Sequence, residues 1–159
     1  MKKSTIAVIA TLVVLGIATA VLLALNFEDI QGRQQLREAG EFVLVHEGVE
    51  HVVTVEDIEA LAPYDFEANY KRSGRPAETR VFYGVPFADV LAQLGIDPAG
   101  TTIIFTASDG YASALPAAEA LAEAYIALCD ERGPFRMVLP RAPFSQQWVH
   151  WLTGVEIRQ

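Results

Sequence analysis

The chain has 159 residues, the length of one ordinary domain. It is 52% hydrophobic, with a mean hydropathy of +0.25 and a formal net charge of −8. That acidity argues against general nucleic-acid binding, which rests on cationic neutralisation of phosphates. The interleaved apolar and polar stretches, with Pro and Gly as punctuation, exclude a disordered chain.

Much of the apolar excess lies in Thr5 to Leu25, a run without charge or Pro and with Gly16 as its one glycine. Its length matches the roughly 20 apolar residues that cross a bilayer, and Lys2 and Lys3 precede it on the side expected to stay cytoplasmic. A cleaved signal peptide is the competing reading. Ala18-Thr19-Ala20 has the small-residue form of a cleavage site, but the hydrophobic run continues straight through it to Leu25. Both readings export the remainder. Residues 1–26 are therefore taken as an N-terminal anchor or signal, 27–40 as a polar stalk, and 41–159 as the body. Without residues 1–26 the chain has ten basic groups against twenty acidic ones. Cys129, the single cysteine, can form neither an internal disulfide nor a zinc cluster, and its apolar surroundings predict a buried, inert thiol.

Residues 27–40 read as one helix ending at Gly40. Phe42–His46 and His51–Val55 are β-branched runs flanking Glu47-Gly48-Val49-Glu50, a hairpin signal. Thr54 with Asp57 resembles a capping box opening a short helix through Leu61, which Pro63 stops. Tyr64–Tyr70 and Thr79–Val85 are strand-like, joined by Lys71-Arg72-Ser73-Gly74-Arg75-Pro76. Pro86 sits at a helix start, with Phe87, Val90, Leu91 and Leu94 as the apolar stripe and Gly95 as the stop. Thr101–Thr106 is a buried strand followed by the turn Ser108-Asp109-Gly110-Tyr111, and Pro116–Ala122 begins another short helix. Tyr125–Cys129 and Phe135–Leu139 are strands, and Trp148–Arg158 closes the chain as an aromatic turn and a final strand. Strands dominate and helices are short, so the body reads as α+β with a mixed sheet or barrel.

Candidate chemistry is sparse. His46 and His51 could face each other across the hairpin, but no third metal ligand accompanies them. His150, between Trp148 and Trp151, reads as a packed histidine rather than a base. Neither a Gly-x-Ser-x-Gly elbow nor a Gly-rich phosphate loop is present. The richest polar segment is Lys71 to Arg75, where three cations and Gly74 could hold a phosphate or carboxylate. Its bland alternative is a solvated loop. Arg132, Arg136 and Arg141 would matter only if the fold brought them beside that loop.

From residue 52 onward the order of motifs resembles the molybdopterin-binding domain of sulfite-oxidase-like oxidoreductases. Val55-Glu-Asp-Ile-Glu-Ala-Leu61 is similar to that family's "T-x-x-D-L-x-x-L", and Tyr83-Gly-Val-Pro-Phe-Ala-Asp-Val-Leu91 with Gly95 is similar to "W-x-G-V-x-L-x-D-V-L…G". Ile104-Phe-Thr-Ala-Ser-Asp-Gly-Tyr111 with Ala114-Leu-Pro116 resembles "V-x-F-x-G-x-D-G-Y…I-P". Gly133 to Pro140 resembles "G-x-P-L-R-L-V-V-P", and Trp148 to Ile157 resembles "V-K-W-L-x-x-I-E-V". The resemblance implies a mixed-sheet, barrel-like molybdopterin-oxidoreductase fold with short helices, preceded here by one transmembrane helix.

In the family's active members the cysteine of "C-x-G-N" supplies a thiolate to molybdenum. The matching stretch here is Arg72-Ser73-Gly74-Arg75, so Arg72 stands at the cysteine position and Cys129 falls elsewhere. Arg141-Ala-Pro-Phe-Ser-Gln-Gln147 replaces the pterin-anchoring stretch. The expectation is therefore a membrane-tethered, extracytoplasmic (periplasmic) binding or accessory domain rather than an enzyme. It would hold a small anionic ligand or a partner protein, with Arg72, Ser73 and Arg75 facing Ser108, Asp109 and Tyr111. No cofactor and no metal are expected. The alternative is an electron-transferring oxidoreductase that keeps molybdopterin in a reduced site. Beyond the inner membrane, a membrane-protein partner in a sensor or redox complex is expected.

Overall fold

The computed structural model describes residues 3–129 and 133–158, with side chains at all of these except 3–11 and 23–26. The chain divides into two compact units, Met1–Gly32 and Arg33–Gln159.

The first unit is helical. Helix α1, Lys3–Ala39, begins in it and its last residues belong to the second unit, so the apolar run and residues 27–39 form one helix. This helix is long and apolar enough to cross a membrane, and its described apolar side chains, from Leu12 to Leu22, are exposed. Gly40, at φ 74°, ends it in the left-handed conformation that favours glycine.

The second unit is α+β. One sheet has the strand order β2-β1-β10-β5-β6 and the other β3-β4-β7-β8-β9. In the first sheet β1 (Glu41–His46) and β2 (Val49–Thr54) form a hairpin closed by Glu47 and Gly48, both at positive φ, the backbone of a two-residue primed turn. Strand β10 (Leu152–Arg158) lies parallel to β1 and antiparallel to β5 (Thr102–Ala107). Strand β6 (Ala112–Pro116) completes the sheet beside β5, although its small residues and Pro carry little strand signal. In the second sheet β3 (Tyr64–Tyr70) pairs with β4 (Glu78–Pro86), followed by β7 (Tyr125–Leu128), β8 (Phe135–Val138) and the two-residue β9 (Val149–His150).

Three short helices join these strands. In α2 (Val55–Ala60), Thr54 and Asp57 close the predicted capping box, with the Thr54 N–H donating to the Asp57 carboxylate at 2.9 Å. Helix α3 (Phe87–Leu94) runs from Pro86 to a left-handed Gly95, and α4 (Ala117–Glu123) follows Pro116. The core joins the sheets through Phe42 and Phe135, edge-on at 5.0 Å, and α3 to the first sheet through Phe87 and Phe105, also at 5.0 Å. Between β4 and β7 the backbones come so close that a Cβ on Gly84 would lie 2.2 Å from the Ile126 carbonyl oxygen.

Two expectations change. His46 pairs with Val49 and His51 with Leu44, so the two histidines share one face of the hairpin as diagonal rather than directly opposite neighbours. Among the described residues no group of three or more His, Cys, Asp or Glu could hold a metal ion. Cys129 is half-buried rather than buried, because it lies just past the end of β7, where its N–H donates to the Pro134 carbonyl.

Candidate functional site

The register of the second sheet sorts its residues by face. Phe66 pairs with Phe82 and Ala68 with Arg80; Gly84 pairs with Ala127, Ala127 with Arg136, and Arg136 with His150. Strand alternation therefore puts Tyr70, Phe82, Arg80, Arg136 and His150 on one face. Val85, Ile126, Met137 and Val149 point the other way into the core.

Above the polar face lies a cleft of about 810 Å3. Its aromatic floor is buried Trp148, whose indole N–H donates to the Leu139 carbonyl at 3.1 Å, flanked by Tyr70 (5.6 Å) and Phe82 (5.4 Å). The guanidinium carbons of Arg80 and Arg72 lie 3.9 and 5.0 Å from the Tyr70 ring centre, and that of Arg136 lies 5.7 Å from Phe82. Cations over aromatic faces are each weakly stabilised, yet three guanidinium groups in one cleft repel one another.

Long-range hydrogen bonds hold the walls. The Ser145 N–H and hydroxyl both donate to the Lys71 carbonyl, at 3.1 and 2.8 Å, fixing the backbone that carries Arg72. The Tyr111 hydroxyl donates to the Gln146 carbonyl at 2.5 Å, and Asp109 Oδ1 accepts from the Tyr111 N–H at 3.0 Å. The Ser108 N–H donates to the Trp151 carbonyl at 2.9 Å, tying the turn after β5 to the residue that follows β9.

Electrostatically, the lining holds Arg72, Arg80 and Arg136 against the single carboxylate of Asp109. Arg80 is partnered by Glu78 at 3.0 Å, in an exposed pair. Arg136 Nε, by contrast, is buried and has no hydrogen-bond acceptor among the described residues. His150 is held near pKa 4, first by burial and then by the Arg136 and Arg72 charges, with Asp109 opposing them. At neutral pH it is an uncharged imidazole with one donor and one acceptor nitrogen.

Of the six residues expected at the site, Arg72, Asp109 and Tyr111 line the cleft. Ser73 and Arg75 lie in the exposed turn beyond it, and Ser108 is buried behind the rim. Arg141 pairs with Glu123 at 2.6 Å and is not among the lining residues, while Arg132 lies outside the described residues. His150 is half-buried and faces the cleft, because β9 is a short edge strand with little packed above it. Arg80, Tyr70, Trp148 and Trp151 were not expected there. The available signal was an arginine inside an apolar strand, as in Phe135-Arg136-Met137.

The metal of the family the sequence resembles would need a soft thiolate, and the cleft offers guanidinium, carboxylate, phenol, imidazole and hydroxyl groups. No cysteine is among the lining residues, so this donor set does not fit a thiolate-bound molybdenum.

No family model matches the chain, and no curated protein matches it by sequence. Twelve chains of solved structures match it. One is the sulfane dehydrogenase SoxCD from Paracoccus pantotrophus, at 17% identity and a TM-score of 0.61, covering 74% of this chain. This chain spans 38% of that one. The likeness shows the fold, a sulfite-oxidase-like α+β arrangement.

Proposed function

We propose that the body is a binding module whose cleft captures a small anion, tethered to the membrane by α1 with the body on the extracytoplasmic side. The observation that carries this reading is Arg136, a guanidinium with a buried, unpartnered Nε in a cleft that already holds two more cations. A buried donor without an acceptor costs stability, and an anion would remove that cost while screening the three like charges. Neutral His150 supplies a further donor, and Asp109 at the rim limits how many negative charges can enter. A module of this kind would serve a membrane-protein partner as a sensor or accessory subunit.

Molybdenum catalysis is not part of this reading, because the lining residues supply no thiolate and Arg72 stands where the resembling family has its cysteine. The likeness of fold favours a second reading, an oxidoreductase retaining molybdopterin. Metal and pterin analysis of the full chain purified from its native host separates the two, and stoichiometric molybdenum would overturn the first. The direct test is calorimetric titration of the full chain in detergent with sulfate, phosphate and organic sulfonates. Saturable binding that weakens at least tenfold in Arg136→Met is expected. No binding by any anion, or equal binding by the variant, would sink the proposal.

A further inference from the structure

We infer that the cleft takes a flat organic anion, its charged group at Arg136 and its unsaturated body on Trp151, and that Trp151 sets this preference; the inference rests on the anion-binding reading above. Size is the first argument. A cleft of about 810 Å3 is far larger than an inorganic oxyanion and falls in the range of small-organic-molecule sites.

The second argument is the division of charge inside it. Arg136 and His150 are neighbours across β8 and β9, while Asp109, Tyr111 and Trp151, the residue after His150, share one rim held by the Ser108–Trp151 backbone hydrogen bond. A carboxylate at that rim repels a second negative group. The part of a ligand reaching it should therefore be uncharged, and the surfaces waiting there are the Trp151 indole and the Tyr111 ring.

The third argument is how Trp151 is held. It sits at φ 55°, a left-handed conformation that bulky side chains rarely adopt. Arg37 lies 5.3 Å from its ring centre, and the Arg37 stem runs so close to Gly133 that a Cβ there would come within 2.8 Å of it. Backbone strain kept in place by surrounding contacts is typical of ligand clamps. Trp151 lines the cleft in this conformation, which glycine would adopt without strain.

The full chain in detergent would be titrated with benzenesulfonate and methanesulfonate, which share an anionic group and differ in the ring. Benzenesulfonate should bind about tenfold more tightly, as a single good aromatic contact allows. Trp151→Gly, compatible with the positive φ, should bring the two within about twofold, and Trp151→Phe should restore most of the preference. Equal affinities in the native chain, or a preference that survives Trp151→Gly, would overturn the inference and leave anion binding standing. If neither sulfonate nor sulfate binds, the anion-binding reading itself falls, and this inference with it.

Discussion

The two faces of the second sheet are built from the same strands and differ in almost every physical respect. On one face Phe135, Met137, Ile126 and Val85 are buried against the first sheet and its helices. On the other, one residue along, Arg136, Arg80 and His150 stand over Tyr70, Phe82 and Trp148 around a cleft. Period-two alternation makes this possible: Phe135, Arg136 and Met137 are consecutive, yet one carries charge to the cleft and two fill the core. The lesson is that stability and the proposed binding fall to different residues of the same strands, and substitutions on the two faces should act on different measurements.

The largest effect belongs to the core face. Phe135→Ala would leave a cavity beside Phe42 and should cost about 3–5 kcal/mol in urea denaturation. The fraction that stays folded should bind anions as before. A loss of affinity equal to that of a cleft variant would mean that the faces are not separable.

Arg136→Met inverts this pattern. Removing a half-buried guanidinium whose buried Nε has no acceptor among the described residues should leave stability unchanged or raise it by about 1 kcal/mol, while anion affinity drops at least tenfold. Marked destabilisation in the absence of anions would instead mean that Arg136 is a structural residue whose partner is water.

His150 tests the electrostatics between these extremes. Its folded-state pKa is near 4, below the ordinary histidine value of 6.5, so between those values the unfolded chain binds more protons. Stability contributed by the neutral imidazole is therefore present above about pH 6.5 and lost as pH falls toward 4. The loss should be on the order of 1 kcal/mol, since the ring is only half-buried and solvent screens its neighbours. His150→Gln should flatten the slope, and a bound anion should do so partly, by offsetting the Arg136 and Arg72 charges. An unchanged slope in the variant would show that the cationic environment is not felt at that position.

How much of this was legible in the sequence follows from the range of the interactions. The Thr54–Asp57 capping box, the Pro86-to-Gly95 span of α3 and the ends of β3 are set by neighbours a few residues apart and appear as read, while β4 runs one residue further at each end. Strand β6 escaped because Ala112 to Pro116 has small residues and owes its conformation to pairing with β5. The stalk continues as helix because nothing between the apolar run and Gly40 interrupts the hydrogen-bond ladder. The cleft was half visible. Arg72, Asp109 and Tyr111 came from motif position, whereas Arg80, Arg136 and Trp148 meet them only through pairings and a Ser145–Lys71 link that spans 74 residues.

The smallest predicted effect sharpens that last point. Lys71 to Pro76 reads as one cationic loop, with Arg72 and Arg75 equivalent by composition, but the structure treats them differently. Ser145 pins the carbonyl just before Arg72, whose guanidinium lies over Tyr70 in the cleft. Arg75 follows Gly74, at φ 73°, in an exposed turn closed by the Arg75 N–H donating to the Arg72 carbonyl at 3.2 Å. That bond uses the Arg75 backbone alone, so the turn survives truncation of its side chain. In 0.15 M salt the Debye length is about 8 Å, so a solvated charge beyond the lining adds little to binding. Arg72→Ala should weaken sulfonate binding about three- to tenfold, and Arg75→Ala should leave it within about twofold. Equal losses in both variants, fading together as salt is raised, would mean that the loop acts through its net charge and that geometry contributes nothing at this wall.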